Sequence, residues 1–126
     1  MNVNYSIYSE YIRSKFFIMS SIIKLRGKGV SRIINSKVML SPLAGVTDKI
    51  FRKLVRKWAP ESLLFTEMIN ATSLKHGYGT QKIKQLELEK GPVGVQIFDN
   101  RPFAVSEAAK LAEDSGAFLI DINLSL

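Results

Sequence analysis

The stretch Val38-Met39-Leu40-Ser41-Pro42-Leu43-Ala44-Gly45-Val46-Thr47-Asp48 runs from a short apolar segment, through a loop, into the start of a helix. Val38 to Leu40 is bounded by turn-forming residues and reads as a buried strand. Pro42 lacks the N–H that a sheet ladder needs, so pairing ends at Ser41-Pro42 and the backbone is released. Thr47 and Asp48 then offer side-chain oxygens to the free N–H groups of a helix from Thr47 to Trp58. Ile50, Phe51, Leu54, Val55 and Trp58 recur on one face of that helix, and Lys49, Arg52, Lys53, Arg56 and Lys57 on the other. The expectation is that the apolar face, Trp58 included, packs on the core and that the arginines and lysines face solvent.

The same unit recurs downstream. Pro60 stops the helix, and Ser62 to Thr66 reads as a second strand with the polar exit Glu67-Met68-Ile69-Asn70. Ala71 to His76 supplies one or two helical turns before the Gly77-Tyr78-Gly79 break. Gly91-Pro92 introduces a third strand, Val93 to Phe98. A helix follows, with Asp99 or Asn100 as its cap, Pro102 in its first turn, Ala104, Ala108, Leu111 and Ala112 at helical spacing, and Gly116 at its C-terminal end. Phe118 to Asn123 is the fourth strand.

Four apolar strands alternating with helices imply an α/β fold with a parallel sheet covered on both faces. An open, doubly wound sheet would carry a glycine-rich fingerprint after its first strand. The Ser41–Gly45 loop has one glycine and a proline, so the better reading is a partial TIM (β/α)8 barrel, roughly its first four strands with the intervening helices. Residues 37–126 form this part. Residues 1–36 are an N-terminal extension, partly irregular, with Gly27-Lys28-Gly29 as a turn between two short extended pieces.

The 126 residues carry 18 Lys/Arg and 11 Asp/Glu, and the charge is uneven: residues 1–58 hold +10 and residues 59–126 hold −3. A basic half can attract a polyanion, RNA above all. A solvated lysine-rich surface accounts for the charge equally well. There is no cysteine. That excludes a disulfide framework, a thiolate metal site and a cysteine nucleophile or acid from this chain, and no other cluster has metal-ligand spacing. The apolar run from Phe16 to Ile23 is interrupted by Ser20-Ser21, lacks a cleavage site, and is shorter than the roughly 20 residues of a membrane span. A cytoplasmic protein is expected.

In a parallel barrel the reactive groups gather at the carboxyl ends of the strands. The residues there are Ser41 to Ala44, Thr66 to Asn70, Gln96 to Phe98, and Asn123. A loop with backbone donors, the Gln96 amide and Asn123 suit the edge of a planar heterocycle. Strand termination explains Pro42, backbone satisfaction explains Gln96, and loop capping explains Asn123 without any ligand. His76, the only histidine, has no acid in a triad-like context and is expected at the surface.

The segments Ser-Pro-Leu-Ala-Gly-Val-Thr-Asp (41–48), Phe-Arg-Lys-Leu-Val (51–55), Thr-Glu-Met-Ile (66–69), Pro-Val-Gly-Val-Gln-Ile-Phe (92–98) and Ile-Asp-Ile-Asn (120–123) together resemble the tRNA-dihydrouridine synthases, and the resemblance runs from Lys37 to Asn123. It implies an FMN-dependent TIM barrel with an added helical domain, which reduces uridine in tRNA to 5,6-dihydrouridine with NADPH or NADH as electron source. Reduced flavin delivers the hydride in that family, and a cysteine donates the proton. The resemblance places Pro42, Leu43 and Ala44 at the first-strand loop against FMN, Gln96 at the flavin ring, and Asn123 near flavin and substrate. Glu67, Met68 and Asn70 would line the same mouth on the substrate side.

Two departures stand out. Leu43 replaces the family's usual methionine and retains an apolar contact. After the asparagine the family continues with an apolar residue, glycine, the catalytic cysteine and proline, whereas here Leu124, Ser125 and Leu126 follow. The cysteine position is Leu126, so no catalytic residue is expected from this chain, and the family's basic residues and phosphate-binding late strands belong to later sequence. The chain reads as the first part of an enzyme, inactive alone. Alternatively it is a noncatalytic fragment that self-associates through open sheet edges or pairs with a complementary chain, or a weak RNA binder.

Overall fold

Val93-Gly94-Val95-Gln96-Ile97-Phe98 is rich in β-branched residues and becomes the central strand, β6 (Val93–Phe98), of a five-stranded parallel sheet. The computed structural model describes residues 23–27, 30–34 and 36–124. They fall into two units, one up to Lys37 and one from Val38 onward. In the first, β1 (Ile23–Gly27) pairs antiparallel with β2 (Val30–Ile34), with Gly27 opposite Val30. These are the two extended pieces read from the sequence. Lys28-Gly29 of the expected turn and the apolar run before Ile23 lie outside the described residues.

In the second unit β3 (Met39–Leu40) pairs with β4 (Leu63–Phe65), which pairs with β6. β5 (Ile69–Asn70) also pairs with β6, and β7 (Leu119–Asn123) covers β6 from Gly94 to Phe98. A strand has two edges. Since β7 occupies one, β4 and β5 share the other as a single lane. Leu64 lies opposite Val93 and Ile69 opposite Ile97, so one extra residue on the β4–β5 side has been inserted between them. That is the two-against-one count of a β-bulge. It falls at Thr66-Glu67-Met68, between the second strand expected from the sequence and its polar exit, of which Ile69–Asn70 is itself strand. With the bulge accounted for, four parallel lanes run in chain order, β3, β4/β5, β6, β7. A doubly wound sheet reverses its order at a switch point; this one does not.

Side chains alternate across β6. Val93, Val95 and Ile97 point to the helices and join Leu74 of α2 (Ala71–Lys75), Ile83 of α3 (Thr80–Lys84), Leu86 of a following 3-10 turn, and Ala108, Ala109 and Ala112 of α4 (Pro102–Asp114) in one buried cluster. The alanines let α4 approach the sheet closely. Gly94, Gln96 and Phe98 point to the opposite face. There Phe65 lies over Gly94 so tightly that a Cβ at residue 94 would come within 2.5 Å of its ring.

Helix ends follow the sequence in one case and depart from it in another. Asp48 caps α1 (Lys49–Trp58), its carboxylate accepting from the Phe51 N–H at 2.8 Å. Neither Asp99 nor Asn100 caps α4. Arg101 occupies that position without a side-chain capping bond, because Asp99 is bound elsewhere. After Ser115, Gly116 takes φ +88°, the left-handed conformation that ends the helix.

α1 is turned relative to expectation. Arg52 is buried at 3% exposure, while Ile50, Leu54 and Trp58 are 79%, 51% and 85% exposed. The Arg52 guanidinium is ion-paired with Glu89, Nε to Oε2 at 3.0 Å and Nη2 to Oε1, and it donates to the Thr47 carbonyl at 2.7 Å. Arg56 donates to the carbonyls of Pro60, Ser62 and Pro92 at 2.9, 2.6 and 3.0 Å. These carbonyls lie just ahead of β4 and β6, and that of Pro92 also accepts from the Leu64 N–H at 3.2 Å. Bonding to them holds the arginine flank inward, and Phe51 and Val55 are both half-buried. The arginines therefore do not form a solvated outer face, and Trp58 is not core.

Candidate functional site

Apart from Gln96, which lies inside β6, the residues singled out for a ligand end a parallel strand or lie in the segment that follows one. After β3, the Leu43 carbonyl accepts from Val46 and Thr47 N–H at 3.1 and 3.0 Å, and the Thr47 hydroxyl bridges both backbone groups of Leu43. Gly45 adopts φ +74°, which a residue with a Cβ rarely tolerates. The loop is thus closed on itself, with Pro42 half-exposed and Leu43 and Ala44 exposed. Its link to the next lane is Glu67, which accepts from the Gly45 N–H at 2.8 Å and from Lys82 at 3.0 Å. The Lys82 ammonium, followed by the Gly45 N–H, holds the Glu67 carboxyl below its ordinary value.

Met68 and Asn123 meet: Asn123 Nδ2 donates to Met68 Sδ at 3.1 Å. Asn70 is placed differently from its neighbours, because its Oδ1 caps α2, accepting from the Ser73 N–H at 2.9 Å and the Ser73 hydroxyl at 3.1 Å. Gln96 is nearly buried on the non-helical face, and its Nε2 donates to Asp121 Oδ2 at 2.6 Å. The two residues are register partners across β6 and β7. Asn123 stands one pleat beyond Asp121 on the same face.

Asp121 is the residue that sequence reasoning passed over. Burial pushes its carboxyl up from the usual carboxylate value. The signal was an acid at the centre of Leu119-Ile120-Asp121-Ile122-Asn123, at strand spacing from Asn123. Asp99 was noticed only as a cap. It instead accepts from the Thr72 N–H and hydroxyl at 2.9 and 2.6 Å and from the Arg101 N–H and Nε at 3.0 Å each, tying α2 to the β6–α4 loop. The Arg101 side chain, then Thr72, holds its carboxyl far below the usual range. His76, at the end of α2, is exposed.

A depression of about 370 Å³ lies between the N-terminal turn of α1 and Thr66, Glu67, Lys82 and Gln85, so that of the site candidates only Glu67 lines it. Its main charges are already paired, Arg52 with Glu89 and Lys82 with Glu67, and none of Gln96, Asp121 and Asn123 lines it. Among the described residues no group of three or more His, Asp or Glu is arranged to hold a metal ion, and no helix is long and apolar enough to cross a membrane.

The sheet face bearing Gln96, Asp121 and Asn123 lies within residues 39–125, which match the family model for dihydrouridine synthase (Dus). The chain belongs to the dihydrouridine synthase family. Among similar proteins, "Probable tRNA-dihydrouridine synthase 1" of Synechocystis is 42% identical over 94 residues, covering 75% of this chain and 26% of that protein. "tRNA-dihydrouridine synthase B" of Xanthomonas campestris is 40% identical over 94 residues, covering 72% of this chain and 27% of its own length. For "Probable tRNA-dihydrouridine synthase" of Rickettsia prowazekii the identity is 37% over 92 residues, with 71% of this chain and 28% of that one covered. The chain thus spans about a quarter of the curated dihydrouridine synthases it matches. No solved structure matches it significantly.

Proposed function

We propose that this chain supplies the flavin-ring side of an FMN-dependent tRNA-dihydrouridine synthase, built on a TIM barrel of which residues 37–124 form the first four βα lanes. The observation that carries the proposal is the fixed Gln96 amide on the non-helical face of a chain-order parallel sheet. With Nε2 donating one proton to Asp121, Gln96 retains Oε1 as an acceptor and its second N–H as a donor. That pair complements an imide edge, where a ring N–H stands beside a carbonyl, as in the pyrimidine end of isoalloxazine. The donor set therefore fits a flavin ring.

Pro42, Leu43 and Ala44 would provide the apolar contact from the first loop, and Asn123 a further polar contact at the end of β7. Met68 helps fix Asn123, whereas Glu67 and Asn70 support the rim of the mouth through Gly45 and Ser73. When bound, FMN would supply the hydride for uridine reduction, drawn from NADPH or NADH. Leu126 stands at the cysteine position and lies outside the described residues; no cysteine exists anywhere in the chain to hold the proton.

Titrating the chain with FMN and with riboflavin tests this reading. Both should bind with similar, weak affinity and lose it together in Gln96→Ala, because the contacts are to the ring. No dihydrouridine should form from NADPH and unmodified tRNA. A strong preference for FMN over riboflavin, or turnover by the chain alone, would refute the assignment of roles. RNA attraction by α1 has a reduced basis, since Arg52 and Arg56 are engaged with the protein and only the three lysines remain.

A further inference from the structure

The setting of Gln96 leaves one torsion undecided. Its backbone N–H is held by the Thr66 hydroxyl at 3.3 Å, and the residue is nearly buried. The terminal torsion of a glutamine is broad and roughly two-fold, so a half-turn about it exchanges Oε1 and Nε2 with little change of shape. Packing therefore does not choose which end faces outward; the hydrogen-bond partner does. That partner is Asp121, with Oδ2 at 2.6 Å from Nε2. An ionised carboxylate only accepts, so it admits only the Nε2 end, whereas a protonated carboxyl also donates and admits either end. Gln96 Oε1 has no partner among the described residues, and none of their buried side-chain oxygens or nitrogens is unsatisfied, so Oε1 opens to the surface.

We propose that Asp121 is a positioning residue: as the carboxylate it holds the Gln96 amide with Oε1 and one N–H outward, and so selects a heterocycle whose edge offers an N–H beside a carbonyl over one that offers acceptors alone. The inference rests on the reading of Gln96 as a ring contact and adds what sets its polarity. The side chains that β4, β6 and β7 place on this face, Leu63, Phe65, Gly94, Phe98, Leu119 and Asn123, are uncharged. The carboxylates in the segments after β4 and β6 are taken up elsewhere, Glu67 by Lys82 and Gly45, Asp99 by Arg101 and Thr72. Burial is accordingly the cause of the raised Asp121 carboxyl. Once Asp121 is protonated, its O–H donates to Oε1 and the amide turns both N–H groups outward, the wrong set for an imide. Selection is therefore present above the folded pKa of Asp121 and is lost as pH falls through it.

Nuclear magnetic resonance of the isotope-labelled full chain tests this without a ligand. The Gln96 Nε2 protons, identified by their absence in Gln96→Ala, should show nuclear Overhauser contacts to the Asp121 β-protons at neutral pH. These contacts should fade as the Asp121 carboxyl carbon titrates. In Asp121→Asn, where residue 121 offers both a donor and an acceptor at every pH, they should be weakened already at neutral pH and should not change in acid. Circular dichroism confines the comparison to folded samples, and the Asn variant at neutral pH decides the matter if the parent chain unfolds before the carboxyl titrates. Riboflavin and 3-methylriboflavin, which differ at the ring N–H, read the selection. The parent chain should prefer riboflavin about tenfold at neutral pH, the worth of one hydrogen bond to an acceptor otherwise left unpaired. That preference should shrink in acid and in Asp121→Asn. Amide contacts that are the same in acid, at neutral pH and in Asp121→Asn would overturn the proposal, as would an undiminished preference for riboflavin in Asp121→Asn. If neither flavin binds, the ring reading of Gln96 fails, and the amide contacts still decide whether Asp121 sets its polarity.

Discussion

Gln96 and Asp121 are register partners on β6 and β7, joined by a 2.6 Å bond from Nε2 to Oδ2 on the face of the sheet away from the helices. One ordinary backbone pairing thus fixes a side-chain amide that would otherwise be free to present either end. The carboxylate that fixes it is half-buried, and desolvation raises its pKa.

A raised carboxyl favours the protonated form in the folded state. Its stabilising effect is complete below the unfolded value near 3.8 and is lost as pH rises through the folded value. Asp121→Asn keeps an acceptor for Gln96 and carries no charge. Its chemical denaturation midpoint should equal or exceed that of the unaltered chain at neutral pH, and the advantage should disappear in acid. A variant less stable at pH 7 would mean that the ionised carboxylate is a net stabiliser.

Asp99 runs the opposite way. Arg101 and Thr72 depress its pKa, so its contribution is present above the unfolded value near 3.8 and is lost as pH falls through the folded value. Asp99→Asn should be destabilised at neutral pH and converge with the parent chain in strong acid. Amide exchange should quicken first at Thr72, whose N–H loses its charged acceptor.

Arg52 belongs to the fold. Replacing it with alanine leaves Glu89 half-buried without its partner, and removing one member of such a pair is expected to lower stability by about 3 kcal/mol. Lys53→Ala, one residue on, should change it by less than about 0.5 kcal/mol. Equal effects in urea unfolding would contradict the inward turn of α1.

Gly94 is small because of Phe65. A methyl group there meets the ring of a buried phenylalanine, so Gly94→Ala should cost about 1–3 kcal/mol through overpacking. Gly94→Ala combined with Phe65→Leu should recover part of the loss, whereas independent sites would simply add.

Strand order was legible in the sequence because Val38–Leu40, Ser62–Thr66, Val93–Phe98 and Phe118–Asn123 are short apolar runs between strong breakers. The first, however, is not the buried strand expected: Val38 lies outside β3 and is exposed, and Met39 and Leu40 are half-buried. The bulge at Thr66-Glu67-Met68 was not legible, since it is defined by what lies opposite in β6. The facing of α1 was misread for a related reason. Helical periodicity identifies an apolar face, but the position of the Pro60, Ser62 and Pro92 carbonyls beside α1 comes from tertiary structure, and bonding to them holds Arg56 inward. Gln96 could be singled out as an amide within an apolar strand, and Asn123 as one at a strand end. Asp121 needed the β6–β7 register before its link to Gln96 became visible.

The most direct test is a chimera: residues 39–124 of this chain placed in the Synechocystis relative in exchange for its matching segment, with that protein's later sequence retained. A purified chimera that holds FMN, forms dihydrouridine in unmodified tRNA with NADPH, and loses flavin on Gln96→Ala is the expected result. A folded chimera that holds no flavin, or whose flavin is indifferent to Gln96, would contradict the flavin-ring role given to these four lanes.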